Sequence, residues 1–316
     1  MTITKLDWHA DPPAGCRGGA ITIGNFDGVH RGHAWLLAEL RRQAQEVNGP
    51  AVVVTFDPHP LQLLRPEQFM PVLTTVPDRA ELLCRCGADQ VLIFQTTRDL
   101  LQLSAEEFFE QVVRERLAPR AMVEGPNFAF GRNRAGTVET LRELCRRSGI
   151  NLAIVPPLKL DGVPVSSSRV RDALTRGAMR DAAELLGRPY RLRGRVGMGR
   201  GRGQQLGFPT ANLEQIETLV PGDGVYAVRV FHEGTAWPGA ANVGPNPTFG
   251  EQARKVEVHL IGFQGDLYGQ TLALDFLQRL RDTRPFRGPD ELADQLTKDI
   301  EQARLAVGSD HHGTSS

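Results

Sequence analysis

No apolar run in this chain approaches the roughly 20 residues a membrane-spanning helix needs, so no membrane partner is expected. Cysteine is scarce. Cys16, Cys84, Cys86 and Cys145 are scattered, and the Cys84/Cys86 pair lacks the spacing of a zinc knuckle, which points to reduced thiols in a cytoplasmic protein. Net charge is absent too: Lys+Arg and Asp+Glu number 37 each, so no global field draws nucleic acid or an anionic surface. The segment Met1–Pro13 carries acidic residues and no apolar centre, which argues against a secretory signal. Gly308–Ser316 is small and polar and is expected to be disordered. What remains is a chain of 316 residues with 41% hydrophobic and 23% charged composition, ordinary for a soluble globular protein and long enough for two cores.

Two rhythms divide the chain. From Gly19 to Gly187, short apolar runs (Ala20–Ile23, Ala51–Phe56, Gln90–Phe94, Ala121–Glu124, Leu152–Val155) alternate with helical stretches near 33–47, 78–86, 104–117 and 137–148. Ser104 through Glu107 has the form of a capping box, and Gly149 stops the helix containing Cys145. This alternation predicts right-handed βαβ units, a parallel sheet covered on both faces, and ligands at the carboxyl ends of its strands. After Gly187 the runs Val225–Phe231, Val256–Ile261 and Thr271–Gln278 are separated by Gly- and Pro-rich turns, with no helix until Pro289–Ala306. That pattern predicts an antiparallel barrel closed by one C-terminal helix. The expected division is 15–187, 188–307 and a tail from 308 to 316.

The most telling segment is Ile23-Gly-Asn-Phe-Asp-Gly-Val-His-Arg-Gly-His33. A strand, a glycine-rich turn and a helix beginning near His33 would gather backbone N–H groups and a positive dipole end around an anion. Gly24, Gly28 and Gly32 allow close backbone approach. His30 and His33 add two movable donors at the His-x-Gly-His spacing of nucleotidyltransferases. An ordinary helix-cap role for the pair is the bland alternative. A metal pair is weaker, because no third ligand stands at a suitable spacing nearby.

Other segments extend this site. Gly125-Pro-Asn-Phe-Ala-Phe-Gly131 follows a strand, and Asn127 offers an amide while Phe128 and Phe130 wall a pocket or simply anchor the loop. Val165-Ser-Ser-Ser-Arg-Val-Arg171 opens a helix; its serines are first of all N-caps, but Arg169 and Arg171 suit a bound anion. His59, in Phe56-Asp-Pro-His-Pro60, either reaches the acceptor's phosphate or only shapes a turn.

In the second half, residues 188–202 hold six arginines and no acid. A solvated basic loop or an RNA-binding arm would look like this. The following Pro209-Thr-Ala-Asn212 argues otherwise, since Thr210 and Asn212 place two hard oxygens on one side of an extended segment, suited to Mg²⁺ carrying a nucleotide. The preceding glycines could fold over phosphates through their N–H groups. In Lys255-Val-Glu-Val-His-Leu260, Glu257 and His259 share a face; on an inward face the carboxylate either pairs with an arginine or serves as a base.

Taken in order, GNFDGVHRGH, TFDPHP, GPNFAFG, SSSRVR, LGFPTAN, VEVHL and RDTRPF resemble the bacterial bifunctional riboflavin kinase/FAD synthetase family from about Gly19 to Arg304. The resemblance implies a Rossmann-like nucleotidyltransferase domain of α/β class followed by a six-stranded antiparallel barrel with a C-terminal helix. It implies that ATP phosphorylates riboflavin to FMN in the barrel, and that a second ATP adenylylates FMN to FAD in the N-terminal domain. By position, His30 and His33 would stabilise the transferring triphosphate. Gly24, Asn25, Phe26, Asp27, Gly32, Asn127, Ser167, Ser168 and Arg171 would hold nucleotide or phosphate, and His59 the acceptor. Gly199, Arg202, Gly203, Gly207 and Pro209 would form the kinase ATP loop, Thr210 and Asn212 would hold Mg-ATP, and Glu257 would be the base. Ser168 stands where the family commonly has Thr, and Asn127 where it often has Asp; the hydroxyl and an acceptor both survive. Riboflavin, FMN and ATP are the expected partners, with no nucleic acid and no membrane; a homo-oligomer is compatible with the sequence. The rival readings are a single-activity adenylyltransferase with the barrel as a binding module, an RNA-binding regulator, and a fragment of a class I aminoacyl-tRNA synthetase, which would need a Lys-rich signature where SSSRVR stands.

Overall fold

A computed structural model describes residues 2–198, 208–246 and 251–310. The chain forms two compact units, the first Met1–Met70 with Thr74–Ser166, the second Pro71–Leu73 with Ser167–Ser316. Each has its own sheet.

The first unit is a parallel six-stranded sheet in the order β1-β4-β3-β2-β5-β6, with β1 Thr2–Asp7, β2 Ala20–Ile23, β3 Ala51–Asp57, β4 Gln90–Gln95, β5 Ala121–Glu124 and β6 Asn151–Ile154. Strand alternation divides the apolar side chains between two faces. Ile21, Val52, Val54, Leu92, Phe94 and Met122 pack on one side with Phe109 and Leu141. Val53, Val91, Ile93 and Val123 pack on the other with Leu37, Leu40 and Leu83. Those last three belong to helices α1 (Arg31–Glu46) and α3 (Val76–Arg85); between them lies the short α2 (Pro60–Leu64). The opposite face is covered by α6 (Val138–Ser148) and by α5 (Ala105–Glu107), which continues with π-type bonding over Phe108–Leu117; the short α4 (Arg98–Gln102) precedes α5. The Ser104/Glu107 capping box forms, and Gly149 ends α6 with a left-handed φ of 67°. Strand β1, unread in the sequence, pairs with β4 at the sheet edge, where its exposed-to-intermediate alternation gives little apolar signal.

Strands β3 and β4 follow β2 in one direction across the sheet, whereas β5 and β6 lie on its other side. The topological switch therefore falls between the carboxyl ends of β2 and β5, where open α/β sheets bind ligands.

In the second unit, α7 (Ser167–Thr175) and α8 (Met179–Leu186) precede a closed antiparallel barrel in the order β10-β13-β12-β11-β14-β9; a two-residue pair, β7 (Lys159–Leu160) and β8 (Val163–Pro164), lies earlier in the first unit. The barrel strands are β9 Tyr190–Gly197, β10 Ala211–Glu214, β11 Gly224–His232, β12 Thr235–Asn246, β13 Glu251–Leu260 and β14 Thr271–Arg281. Since α7 and α8 cluster with the barrel, the contact division comes before Arg188 in sequence. The basic stretch is largely β9: Tyr190, Leu192 and Val196 are buried, and the arginines alternate with them. Arg191 forks onto Asp275 at 2.6 and 2.7 Å with its guanidinium 4.5 Å over Phe231, and Arg195 donates to the Gly269 carbonyl.

Helix α9 (Pro289–Asp310) closes the barrel from outside, placing Ala303 against Ala227 and Ile261. Arg281 locks it by donating to the buried carboxylate of Asp299, with Nη2 to Oδ2 at 2.8 Å. The helix runs through Gly308–Asp310; the rest of the expected tail lies outside the described residues.

Burial pushes the Cys145 thiol up to about 12 and raises Cys16 and Cys84, so these are packing residues and not nucleophiles.

Candidate active sites

At the end of β2 the chain turns through Gly24–His30 into α1, which starts at Arg31, two residues before His33. The reason is His30 itself. It is the N-cap, and its Nδ1 accepts a hydrogen bond from the His33 N–H at 3.3 Å. An Nδ1 that accepts leaves the proton of a neutral ring on Nε2. The His30 and His33 rings stack at 3.6 Å between centroids, and Phe26 meets His33 edge-on at 5.2 Å. A Cβ at Gly32 would stand 3.1 Å from the His30 ring and 3.3 Å from the Val165 carbonyl, tighter than nearly all Cβ contacts, so a side chain there would press on the stack.

The structure brings Gly24, Asn25, Asn127 and Phe128 together in one cavity of about 660 Å³ beside the switch point. Its floor is aromatic, with Phe56, Phe108, Phe128 and Phe130. The Phe128 and Phe130 rings stack at 5.4 Å, and Asn127 is exposed at the rim. The loop returns sharply at Gly131, whose φ is 71° and where a Cβ would lie 2.6 Å from the Ala105 nitrogen. Sequence reading missed the cationic members of the lining, Arg65, Arg132 and Arg134. The two cations of Arg132-Asn-Arg134 directly after GPNFAFG were the available signal.

His59 caps α2, its Nδ1 accepting from Leu61 N–H at 3.1 Å, and Pro60, not His59, lines the cavity. Asp27 is buried and faces inward: its Oδ1 accepts from both the N–H and the hydroxyl of Thr74, so it holds the loop from below. Ser167, Ser168 and Arg171 stand at the start of α7 in the second unit, with Ser168 exposed and Arg171 donating to the Pro71 carbonyl.

Glu124, at the end of β5, is a buried carboxyl the sequence did not single out. Its Oε1 accepts from Ile23 N–H at 2.8 Å, joining the two strands that flank the switch point. Burial raises it well above the ordinary glutamate value, more than the hydrogen bond from the Ile23 N–H lowers it. The folded state thus keeps a proton that the unfolded chain releases above its usual value of 4.5, and stability falls as pH rises from there toward the folded pKa. Glu124→Gln, of the same shape and neutral throughout, is expected to flatten that fall. Its melting temperature should exceed the parent's at about pH 8 and converge on it at about pH 4, in unfolding followed by circular dichroism.

In the barrel, Asn212 of β10 and Asn242 of β12 are both register partners of Glu257 on the intervening β13. Directly opposed residues point to the same side of a sheet, so the three form a polar row. That row faces away from the barrel interior. Val256, Val258 and Leu260 are buried within, leaving Glu257 and His259 half-buried on the outer face, so the expected inward placement of Glu257 is corrected. β-branched and leucine side chains fill the small barrel, and the polar alternates are forced out. His259 Nδ1 lies 2.8 Å from the Pro209 carbonyl, fastening the Pro209–Asn212 segment beside Glu257. Thr210 is exposed and Asn212 half-buried. Gly199, Arg202, Gly203 and Gly207 lie outside the described residues.

Comparison with known proteins gives these two sites a context. A family model for FAD synthetase matches residues 14–169, and one for riboflavin kinase matches residues 186–307. A bifunctional riboflavin kinase/FMN adenylyltransferase of Pseudomonas fluorescens is 39% identical over 93% of this chain and 95% of its own. The protein of the same name from Escherichia coli is 35% identical over 94% of each chain. A solved structure from Streptococcus pneumoniae, titled a macrolide-efflux protein, superposes with a TM-score of 0.85 at 30% identity and covers 96% of this chain and 99% of its own. Among the described residues no helix is long and apolar enough to cross a membrane. With both family models matched in order and relatives similar along nearly their whole length, the chain belongs to the bifunctional riboflavin kinase/FMN adenylyltransferase family.

Proposed function

We propose that residues 188–307 transfer a phosphoryl group from ATP to riboflavin and that residues 15–187 transfer an adenylyl group from a second ATP to the resulting FMN, releasing pyrophosphate. The observation that carries the reading is the pairing of two different phosphate chemistries on two sheets: a histidine-capped helix start at a switch point, and an asparagine–glutamate–asparagine row on a barrel.

Both steps are in-line attack at phosphorus, in which a protein chiefly positions reactants and neutralises charge. In the first unit the attacking group is the FMN phosphate, already anionic, so no base is required. His30 and His33 act as donors to phosphate oxygens, with the N–H groups and dipole of α1 behind them. Gly24, Asn25, Phe26 and Gly32 shape the turn; Asp27 positions it from beneath and does not touch phosphate. The flavin ring suits the aromatic floor of the cavity, with Asn127 at the rim and the arginines Arg65, Arg132 and Arg134 for the acceptor's phosphate. For Ser167, Ser168 and Arg171 the support is chemical: hydroxyls, N–H groups and a guanidinium at one helix start, suited to an anion.

In the barrel the acceptor is a neutral ribityl hydroxyl, which needs a base, and Glu257 supplies it. Thr210 and Asn212 offer hard oxygen donors of the kind Mg²⁺ takes, and Asn212 lies in register with Glu257, so the residues fit the ion. Mg²⁺ bound with ATP would neutralise phosphate charge. Pro209, whose carbonyl lies 2.8 Å from His259 Nδ1, would border the phosphates. ATP as the shared substrate fits a cytoplasmic enzyme.

Incubation with riboflavin, ATP and Mg²⁺, with the flavins separated by chromatography, tests the reading. FMN is expected first and FAD after it, and supplied FMN should yield FAD directly. Chelating the metal should arrest FMN formation. Riboflavin recovered unchanged, with supplied FMN also unconverted, would refute both assignments.

A further inference from the structure

The turn that carries His30 is strained. Phe26 has a φ of 46° and Val29 a φ of 39°, with Gly28 between them at 84°. A β-branched side chain at positive φ is a true outlier, and such conformations persist only where their surroundings over-determine them.

The surroundings centre on an arginine. Arg79, on α3, is 2% exposed, and the Asp27 carboxylate beside it 4%. Arg79 Nη2 stands 3.8 Å from Asp27 Oδ1 and donates to the Thr74 carbonyl at 3.5 Å. Its Nη1 donates to the Thr55 hydroxyl and the Phe56 carbonyl, each at 3.4 Å. Asp27 Oδ1 accepts from the Thr74 N–H at 3.2 Å and its hydroxyl at 3.3 Å, while Thr74 Oγ1 accepts from the Gly28 N–H at 3.1 Å. The Thr55 hydroxyl in turn donates to the Asn25 carbonyl at 3.2 Å. The two tied backbone groups, Asn25 C=O and Gly28 N–H, bracket the first strained residue, Phe26.

A buried ion pair is an inefficient way to obtain stability, because desolvation offsets most of the attraction and apolar residues of the same volume would serve as well. What such a pair supplies is a single geometry. We propose that Arg79 is a positioning residue for adenylyl transfer: with Asp27 and Thr74 it latches the strained turn so that the His30 and His33 imidazoles and the first N–H groups of α1 stand ready for the triphosphate. This rests on the reading that the turn carries adenylyl transfer.

Full-length Arg79→Gln, Arg79→Lys, Asp27→Asn and His33→Ala are compared with the parent in FAD formation from FMN and in FMN formation from riboflavin, with thermal unfolding in parallel. Arg79→Gln should lower kcat for FAD formation about 10- to 100-fold, as expected of a catalytic group displaced by about 1 Å. KM for ATP and FMN should move less than about threefold, and FMN formation should stay within about twofold. Lysine keeps the charge without the planar fork and should recover part of the loss. Asp27→Asn should resemble Arg79→Gln, and the double variant should be no slower than the slower single one, the non-additivity of partners in one network. An unchanged kcat in Arg79→Gln beside a slow His33→Ala would overturn the latch alone. Unchanged rates in both would overturn the reading of the turn with it. Additive losses, a raised KM with kcat preserved, or failure of both Arg79 variants to fold would also overturn the latch, the last by assigning the arginine to stability only.

Discussion

Glu257→Gln is expected to lower FMN formation by between about 10²- and 10⁴-fold, the range general-base catalysis contributes, while FAD formation from supplied FMN continues at the parent rate. The acceptor is an alcohol, far from ionised at neutral pH, and its proton must leave as the oxygen attacks phosphorus. Glu257 stands on the outer face of β13 with Asn212 and Asn242 directly across on its two neighbours. Glutamine retains the shape and an acceptor oxygen but cannot take up a proton. The loss should therefore fall on kcat, with KM for riboflavin little changed. Coupled assays started from riboflavin and from FMN separate the two reactions in one preparation, so general misfolding would show as a loss in both. An FMN-forming rate within a few-fold of the parent would remove Glu257 from the base role.

The alternation of strands and helices in the first unit was legible because each sheet strand except β1 carries a run of apolar residues bounded by turn or capping signals. The barrel was legible only in part. Strand β9 was hidden because its outward positions are Arg191, Arg193 and Arg195, and a local reading cannot know that Asp275 waits on β14 to receive one of them. The face of Glu257 was misread for a related reason. Alternation fixes that Glu257 and His259 point together, but whether they point in or out depends on which set fills the barrel. His30 and His33 were found through their spacing and surrounding glycines, which are local features. Arg79 and Glu124 were not, since each looks like an ordinary residue of its element: Arg79 a helix cation, Glu124 a strand-end acid. Their meaning comes from partners on other elements, Asp27 for the first and the Ile23 N–H for the second.

His33→Ala is expected to slow FAD formation by about 10²-fold or more, the cost of removing one preorganised donor from a site of developing charge, with the riboflavin kinase rate unchanged. The direction follows from the acceptor. An FMN phosphate near neutral pH is already a competent nucleophile, so a histidine here contributes as a donor to the phosphate oxygens and not by taking a proton. Its placement is enforced from three sides. The ring stacks on His30 at 3.6 Å, Phe26 presents an edge at 5.2 Å, and the His33 N–H is held by His30 Nδ1 at 3.3 Å. Alanine keeps that backbone N–H, so the cap and the start of α1 should survive and the melting temperature should change little. His33→Gln, which restores a neutral donor at similar reach, should recover part of the rate, whereas a base would not be replaced by an amide. Loss of turnover as complete in Gln as in Ala, beside an intact helix, would instead assign His33 to proton transfer.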